Sequence, residues 1–225
     1  MKLGIFSDAH GNVGAFEESI AILRDAGAEV LYYLGDAVGY IATPEIMVRI
    51  RDKGIIALKG NHEAMLLEPD YPDELEAVYR LRATRSLMNR DLLEFVEGLK
   101  PKIEHEFERI RVLFVHGSPN NPIYDYVYPD TDLSQFVNVS ANAVFMGHTH
   151  RPFIRKFSAK MFVNVGSCGL PRDEERLGSA CLFDTATCEA RVIRFNIARS
   201  CKYILENHDI HESVAEILRR SAGLA

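Results

Sequence analysis

"VFMGHTHRPF", residues 144–153, sets two histidines one residue apart behind an apolar run and a glycine. The run has the length and side-chain type of a buried strand, and a glycine at its end lets the chain turn sharply or approach another segment closely. His148 and His150 are therefore expected on a tight loop at a strand's carboxyl end. The same grammar recurs upstream: Asp8 and His10 follow "LGIFS", Asp36 follows "LYYLG", Asn61 and His62 follow "IIALKG", and His116 follows "VLFV". Strand carboxyl ends gather along one edge of an α/β sheet, where ligands bind, so five separate segments are expected to deliver polar side chains to one place.

The rest of the pattern supplies such a sheet. "KLGIF", "EVLYYL" and "IIALK" read as strands, alternating with amphipathic helices over 14–27 and near 44–53, a βαβ rhythm that implies a largely parallel sheet covered by helices. The stretch 72–99 is helical in pattern, with Leu75, Val78, Tyr79 and Arg82 at helical spacing and a second piece at 90–97. Beyond Pro101, seven short β-rich runs from "KIEHEF" to "ARVIRFN" suggest a second sheet packed on the first. Two short amphipathic helices are expected at the tail, about 198–221. Without repeats, low-complexity linkers or abrupt composition shifts, one domain over 1–225 is expected.

Composition narrows the class. The 225 residues are 47% apolar with a net charge of -6, enough for a sizeable core and no basic stripe for long nucleic acid. No apolar run is long enough to span a membrane and the N-terminus lacks a secretory pattern, so a cytoplasmic location is expected. Four cysteines, Cys168, Cys181, Cys188 and Cys201, show no CxxC spacing and read as reduced thiols. Cys168 reads as a small residue filling a tight loop, and His105, His208 and His211 as surface residues.

Imidazole, carboxylate and amide donors without a thiolate suit manganese, iron, cobalt, nickel or zinc. Five motifs in order, "SDAHGN", "YLGDAVGY", "KGNHE", "FVHGSP" and "MGHTH", resemble the calcineurin-like metallophosphoesterases, and "HGSPNNP" with "NVGSCGLPRD" looks like their single-domain bacterial and archaeal branch. The resemblance implies an α/β fold of two packed mixed β-sheets flanked by helices, a four-layer α/β/β/α sandwich. It also implies two divalent transition-metal ions, manganese first among the candidates. Asp8, His10 and His150 would hold one, Asn61, His116 and His148 the other, with Asp36 between them. His62 would face the substrate as general acid or as a donor to the phosphoryl oxygens.

The expected reaction is attack of a metal-bridging hydroxide on a small phosphorylated substrate, a monoester or diester, with nucleotides among the candidates. Glu63 is expected to support the His62 imidazole, although many relatives carry aspartate there. Asn12 and Arg172 are candidate phosphate contacts, Arg172 being equally readable as a surface partner of Asp173 or Glu174. Tyr40 and Tyr124 are candidate stacking surfaces for a base or aryl group, and "PIYDYVYPD" a lid. Alternatives within the class are a symmetrical dinucleoside-polyphosphate hydrolase and a protein phosphatase; outside it stands a metal-binding protein-interaction scaffold. Self-association into a homo-oligomer is compatible with the amphipathic tail.

Overall fold

The computed structural model describes residues 1–107, 110–173 and 176–224. Its first third follows the βαβ rhythm: β1 (Lys2–Phe6), α1 (Val13–Asp25), β2 (Val30–Tyr33), α2 (Glu45–Asp52) and β3 (Ile56–Ala57), with β1–β2 and β2–β3 parallel. The Asn12 side chain accepts from the Ala15 N–H and starts α1, whose buried face is Ala15, Phe16, Ser19 and Leu23. Helix α3 (Asn61–Leu67) begins directly on the "GNHE" motif. The long helical stretch expected after it breaks into α4 (Asp73–Tyr79), α5 (Leu81–Ser86) and α6 (Arg90–Glu97). Arg80, left-handed at φ 54°, ends α4, and the Asn89 side chain caps α6.

A second sheet holds β4 (Lys102–Phe107), β5 (Ile110–Val115), β6 (Ala143–Met146), β7 (Phe153–Phe157) and β8 (Lys160–Asn164) in the order β4-β5-β6-β8-β7. Here the structure departs from the sequence expectation, which gave every strand beyond Pro101 to this sheet. The last two, β9 (Gly178–Asp184) and β10 (Glu189–Phe195), return to the first, whose order is β10-β9-β1-β2-β3. The reason lies in β9 itself. Ala180 and Leu182 pack on the helix side while Cys181 and Phe183 pack between the sheets, and a strand buried on both faces belongs inside a sheet rather than at its edge. The architecture is two mixed five-stranded sheets flanked by helices.

Between the sheets, Leu3, Ile5, Tyr32 and Leu34 meet Phe114, Phe145, Met161 and Val163, and Tyr32 stacks on Phe114 at 4.1 Å. Each such side chain contributes about 1.5–3 kcal/mol on burial, which fixes the two sheets face to face. The helix side of the first sheet is closed by Phe16, Leu23, Ile46, Ile50, Leu92 and Val96. Ile204 of α7 (Ala198–Asn207) and Leu218 of α8 (Glu212–Ala222) join that core. The outer face of the second sheet is covered more thinly, by Val127, Leu133 and Phe136 around a short 3-10 helix, Leu133–Phe136. The polar loops that follow β1, β2, β5 and β6 are thereby brought to one edge.

Candidate metal centre

Asp8 and His10 follow β1, Asp36 follows β2, Asn61 and His62 open α3, His116 follows β5, and His148 and His150 follow β6. Five of these residues, Asp8, His10, Asp36, His148 and His150, have left-handed backbones with φ between 49° and 66°, a region that costs a residue with a Cβ of order 1–3 kcal/mol. Bulk is excluded as well: a Cβ on Gly147 would lie 2.5 Å from Asp8 Oδ2. That glycine in "MGHTH" is required for close approach. The packing around the loops therefore holds the backbone in a conformation chosen for where it aims the side chains.

Three groups of ligand atoms lie within 4.8 Å of one another: Asp8, His10 and His150; Asp36, His116 and His148; and His10, Asp36 and His62. Asp36 belongs to two of them, its Oδ2 lying 3.4 Å from His116 Nε2 and 3.7 Å from His10 Nε2. Asn61 Oδ1 is 3.0 Å from His116 Nε2. The imidazoles of His10, His62, His116, His148 and His150 are all buried.

The ring nitrogens show what the cluster is built to hold. His10 Nδ1 faces the Val38 carbonyl at 3.1 Å, His116 Nδ1 that of Leu34 at 2.9 Å, and His150 Nδ1 that of Leu170 at 2.5 Å. A neutral imidazole has one N–H; donated outward to a carbonyl, it leaves the Nε2 lone pair pointing inward, the arrangement of metal-binding histidines. The inward nitrogens crowd together, His10 Nε2 lying 3.1 Å from His150 Nε2, and His116 Nε2 3.1 Å from His148 Nδ1. Facing lone pairs repel unless a cation or proton lies between them. Asp8 Oδ1 is buried with no hydrogen-bond partner among the described residues and lies 3.3 Å from His150 Nε2, whereas its Oδ2 accepts from the His148 N–H at 3.1 Å. A buried carboxylate oxygen left bare among lone pairs fits a divalent cation.

Protonation follows the same logic. Burial would raise the Asp8 carboxyl, but His150 and His116 outweigh it and bring it down to about 2; Asp36 is likewise held well below its usual range by the surrounding histidines, against burial. Burial draws His62 and His148 down to about 4, and His10 well below its usual value. His116 goes up, to about 9, because Asp36 overcomes the effect of burial. The cluster demands positive charge, and in the metal-free chain a proton on His116 supplies some of it.

The residues expected to touch substrate fare differently. His62 donates its main-chain N–H to Asp36 Oδ1 at 3.0 Å, its Nδ1 has no partner, and its ring lies between Tyr40 and Tyr79 at 5.0 and 4.8 Å. Gly39, at φ +95°, lies so close that a Cβ there would be 1.9 Å from His62 Nδ1. Glu63 does not reach the His62 imidazole. Its carboxylate accepts main-chain N–H groups from Asp36 (2.7 Å), Ala37 (2.8 Å), Val38 (3.3 Å) and Gly60 (2.8 Å), clamping the Asp36 turn from behind. Burial and the Asp36 charge push its carboxyl up to about 7, against the pull of those donors.

Asn12 is not free to bind phosphate: besides capping α1 it donates to the Gly169 carbonyl at 3.0 Å. Tyr40 is buried, with its ring 4.7 Å from His10, so it holds the centre's wall rather than offering a stacking face. Tyr124 is exposed and has no ring contact with the cluster among the described residues. Arg172 is exposed and donates to Tyr40 Oη at 2.8 Å; Asp173 pairs with Arg194 instead, and Glu174 lies outside the described residues.

Two aromatic neighbours escape the sequence reading. Tyr79 packs on His62, and Tyr126 stacks on His148 with ring centroids 3.9 Å apart. The latter lies within "PIYDYVYPD", the stretch expected as a lid, without being singled out there. Cys168 is buried in the loop against Ser7, where burial pushes its thiol upward. His105 and His211 are exposed and His208 half-buried, with His105 bonded to Tyr32 Oη at 2.6 Å. No helix among the described residues is long and apolar enough to cross a membrane.

Comparison with known proteins agrees with this geometry. Residues 1–188 match the family model of the calcineurin-like phosphoesterase superfamily domain. An uncharacterized protein of Methanocaldococcus jannaschii is 28% identical, over 91% of this chain and 92% of that one. A Methanothermobacter thermautotrophicus protein named "Probable metallophosphoesterase" is also 28% identical, over 86% and 92%. A crystal structure of a metallophosphoesterase from Sphaerobacter thermophilus superposes with a TM-score of 0.80 at 26% identity, covering 98% of this chain and 100% of that one. The chain belongs to the calcineurin-like phosphoesterase superfamily, a family of metal-dependent hydrolases.

Proposed function

We propose that the chain hydrolyses phosphoester bonds of a small phosphorylated substrate at a centre of two divalent transition-metal ions. The observation that carries this reading is the inward-facing set of imidazole lone pairs around Asp36, with Asp8 Oδ1 bare beside them. Asp8, His10 and His150 would hold one ion and Asn61, His116 and His148 the other, with Asp36 contributing to both; the donor set admits manganese first, and iron, nickel, cobalt or zinc. Bound there, the ions supply Lewis acidity and lower the pKa of water.

The chain's own groups do the rest. The outward hydrogen bonds of His10, His116 and His150 fix the ring orientations, and Glu63 fixes the turn that presents Asp36. His62, whose Nδ1 is packed against Gly39, turns its Nε2 toward the centre, 3.9 Å from Asp36 Oδ2, and that nitrogen, once protonated, would donate to a phosphoryl oxygen or to the leaving group. A cation beside the centre would favour an anionic substrate; Arg172 supplies one over the ring of Tyr40, which packs on His10. We take residues 1–225 as one functional unit, because Ser200 of α7 packs on Gly14 of α1 and Ile204 and Leu218 join its core.

The test is metal content of the purified chain together with hydrolysis of para-nitrophenyl phosphate and bis-para-nitrophenyl phosphate in added manganese, nickel, cobalt or zinc. About two ions per chain with turnover is the expected result. Asp36→Asn is expected to lose metal and activity together, and His62→Ala to keep the metal and lose kcat more than substrate affinity. A chain that binds no divalent transition metal sinks the reading.

A further inference from the structure

The metal ligands continue outward into an aromatic wall that none of the roles above uses. Tyr126 lies on His148 with centroids 3.9 Å apart and planes 27° from parallel. Tyr128 lies 5.9 Å beyond it at 7°, and the Arg151 guanidinium is 5.9 Å from the centre of the Tyr128 ring. The two tyrosines are 52% and 40% exposed. Neither Arg151 nor Arg172 pairs with a carboxylate among the described residues. An isolated exposed tyrosine carries no message; a run of planar groups that starts on a buried candidate metal ligand and ends in solvent beside an unpaired guanidinium does.

We propose that Tyr126, Tyr128 and Arg151 form the leaving-group subsite of this centre, selecting esters whose leaving group carries a planar aromatic ring, either an aryl alcohol or the base of a nucleoside. This rests on the phosphoesterase reading above and specifies its substrate class. Because Tyr126 stacks on His148, a phosphoryl group held among the ligands would have an aromatic surface beside it. Rings recognise rings by offset stacking and guanidinium planes add to it, whereas a saturated group of the same size gains only its contact area. Two exposed guanidiniums, Arg151 at the wall and Arg172 above Tyr40, leave room for a second anionic group on such a substrate.

Matched probes test this on the full chain loaded with manganese: phenyl phosphate against cyclohexyl phosphate, and adenosine monophosphate against ribose phosphate, their affinities read by calorimetry. In at least one pair the ring-bearing member is expected to bind tighter by about five- to a hundredfold, the range of a single aromatic stack. Preference in the phenyl pair alone assigns an aryl alcohol, and preference in the adenosine pair a nucleoside. Tyr126→Leu and Tyr128→Leu are expected to abolish the preference while leaving metal content and the ringless probes unchanged, and Tyr126→Phe to retain it. Equal binding within both pairs overturns the subsite and leaves the phosphoesterase reading standing. So does a Tyr126→Leu chain that loses metal and all four probes alike, which would make Tyr126 a packing support for His148. Binding of none of the four to the metal-loaded chain removes the phosphoesterase reading itself.

Discussion

Glu63→Ala removes a side chain that touches no candidate metal donor and no solvent, yet it is expected to be among the most damaging changes in the protein. The carboxylate accepts four buried main-chain N–H groups, three from Asp36, Ala37 and Val38 and one from Gly60. Each N–H left buried and unpaired costs about 1–3 kcal/mol. Water entering the vacated space would recover some of these, and the Val38 contact is long, so a net loss of about 3–5 kcal/mol is expected. For a chain of this size that corresponds to a fall in Tm of about 6–20 °C. Calorimetry above pH 7, where the carboxyl is ionised, measures it in metal-free and metal-loaded protein. Metal content should fall in parallel, because the released turn is the one that presents Asp36. Glu63→Gln keeps one acceptor oxygen but turns an amide N–H toward the donors, and should lie close to the alanine variant. A Glu63→Ala chain melting within about 2 °C of the parent with its metal retained would refute the clamp.

In metal-free protein, stability should fall as pH drops from 6.5 toward 4.5. Over that window His10, His62 and His148, drawn below their usual 6.5, stay neutral when folded and bind protons when unfolded. Glu63, raised from 4.5 to about 7, works the other way, as does His116, raised to about 9, near pH 6.5, until lower down it is protonated in both states. Three imidazoles against one carboxyl leave the unfolded chain about two protons richer, a slope of at most about 2–3 kcal/mol per pH unit in urea unfolding; a flat profile contradicts the assigned burial effects. Gly39→Ala, which drives a Cβ onto His62 Nδ1 at a left-handed backbone, should cost about 2–5 kcal/mol. It should also depress turnover with metal still bound, measured by metal analysis beside kcat. Asn12→Ala should cost about 1–3 kcal/mol through the lost cap and the bared Gly169 carbonyl, with kcat/KM unchanged; a large loss of kcat/KM at constant Tm would restore the substrate role expected of it from sequence.

Those predictions separate what the sequence discloses from what it hides. The donors around Asp36 are legible because each sits behind an apolar run and a short polar motif, and strand ends converge by the geometry of parallel sheets. Glu63 is visible as a residue but its role is not: reaching back to the Asp36 turn depends on α3 starting at Asn61, and nothing in "GNHE" distinguishes a carboxylate facing an imidazole from one facing main-chain N–H groups. Asn12 reads as a phosphate donor until the structure occupies both ends of its amide. Tyr124, Tyr126 and Tyr128 alternate in one loop, so only the fold reveals that Tyr126, rather than Tyr124, meets His148. The destination of β9 is similarly hidden, since alternation tells how a strand is buried and not beside which partner it lies.

That destination bears on how the protein is made. Lys2 pairs with Asp184 across β1 and β9, and the loop carrying Asp8 is bonded to Ser167 and Cys168. During synthesis β1 must therefore wait for a partner some 180 residues behind it, about ten to forty seconds at ordinary elongation rates. Through that interval its apolar edge is open and the Asp8 loop lacks the support of Ser167 and Cys168. The nascent chain is then most exposed to aggregation just when its final hairpin is still unborn.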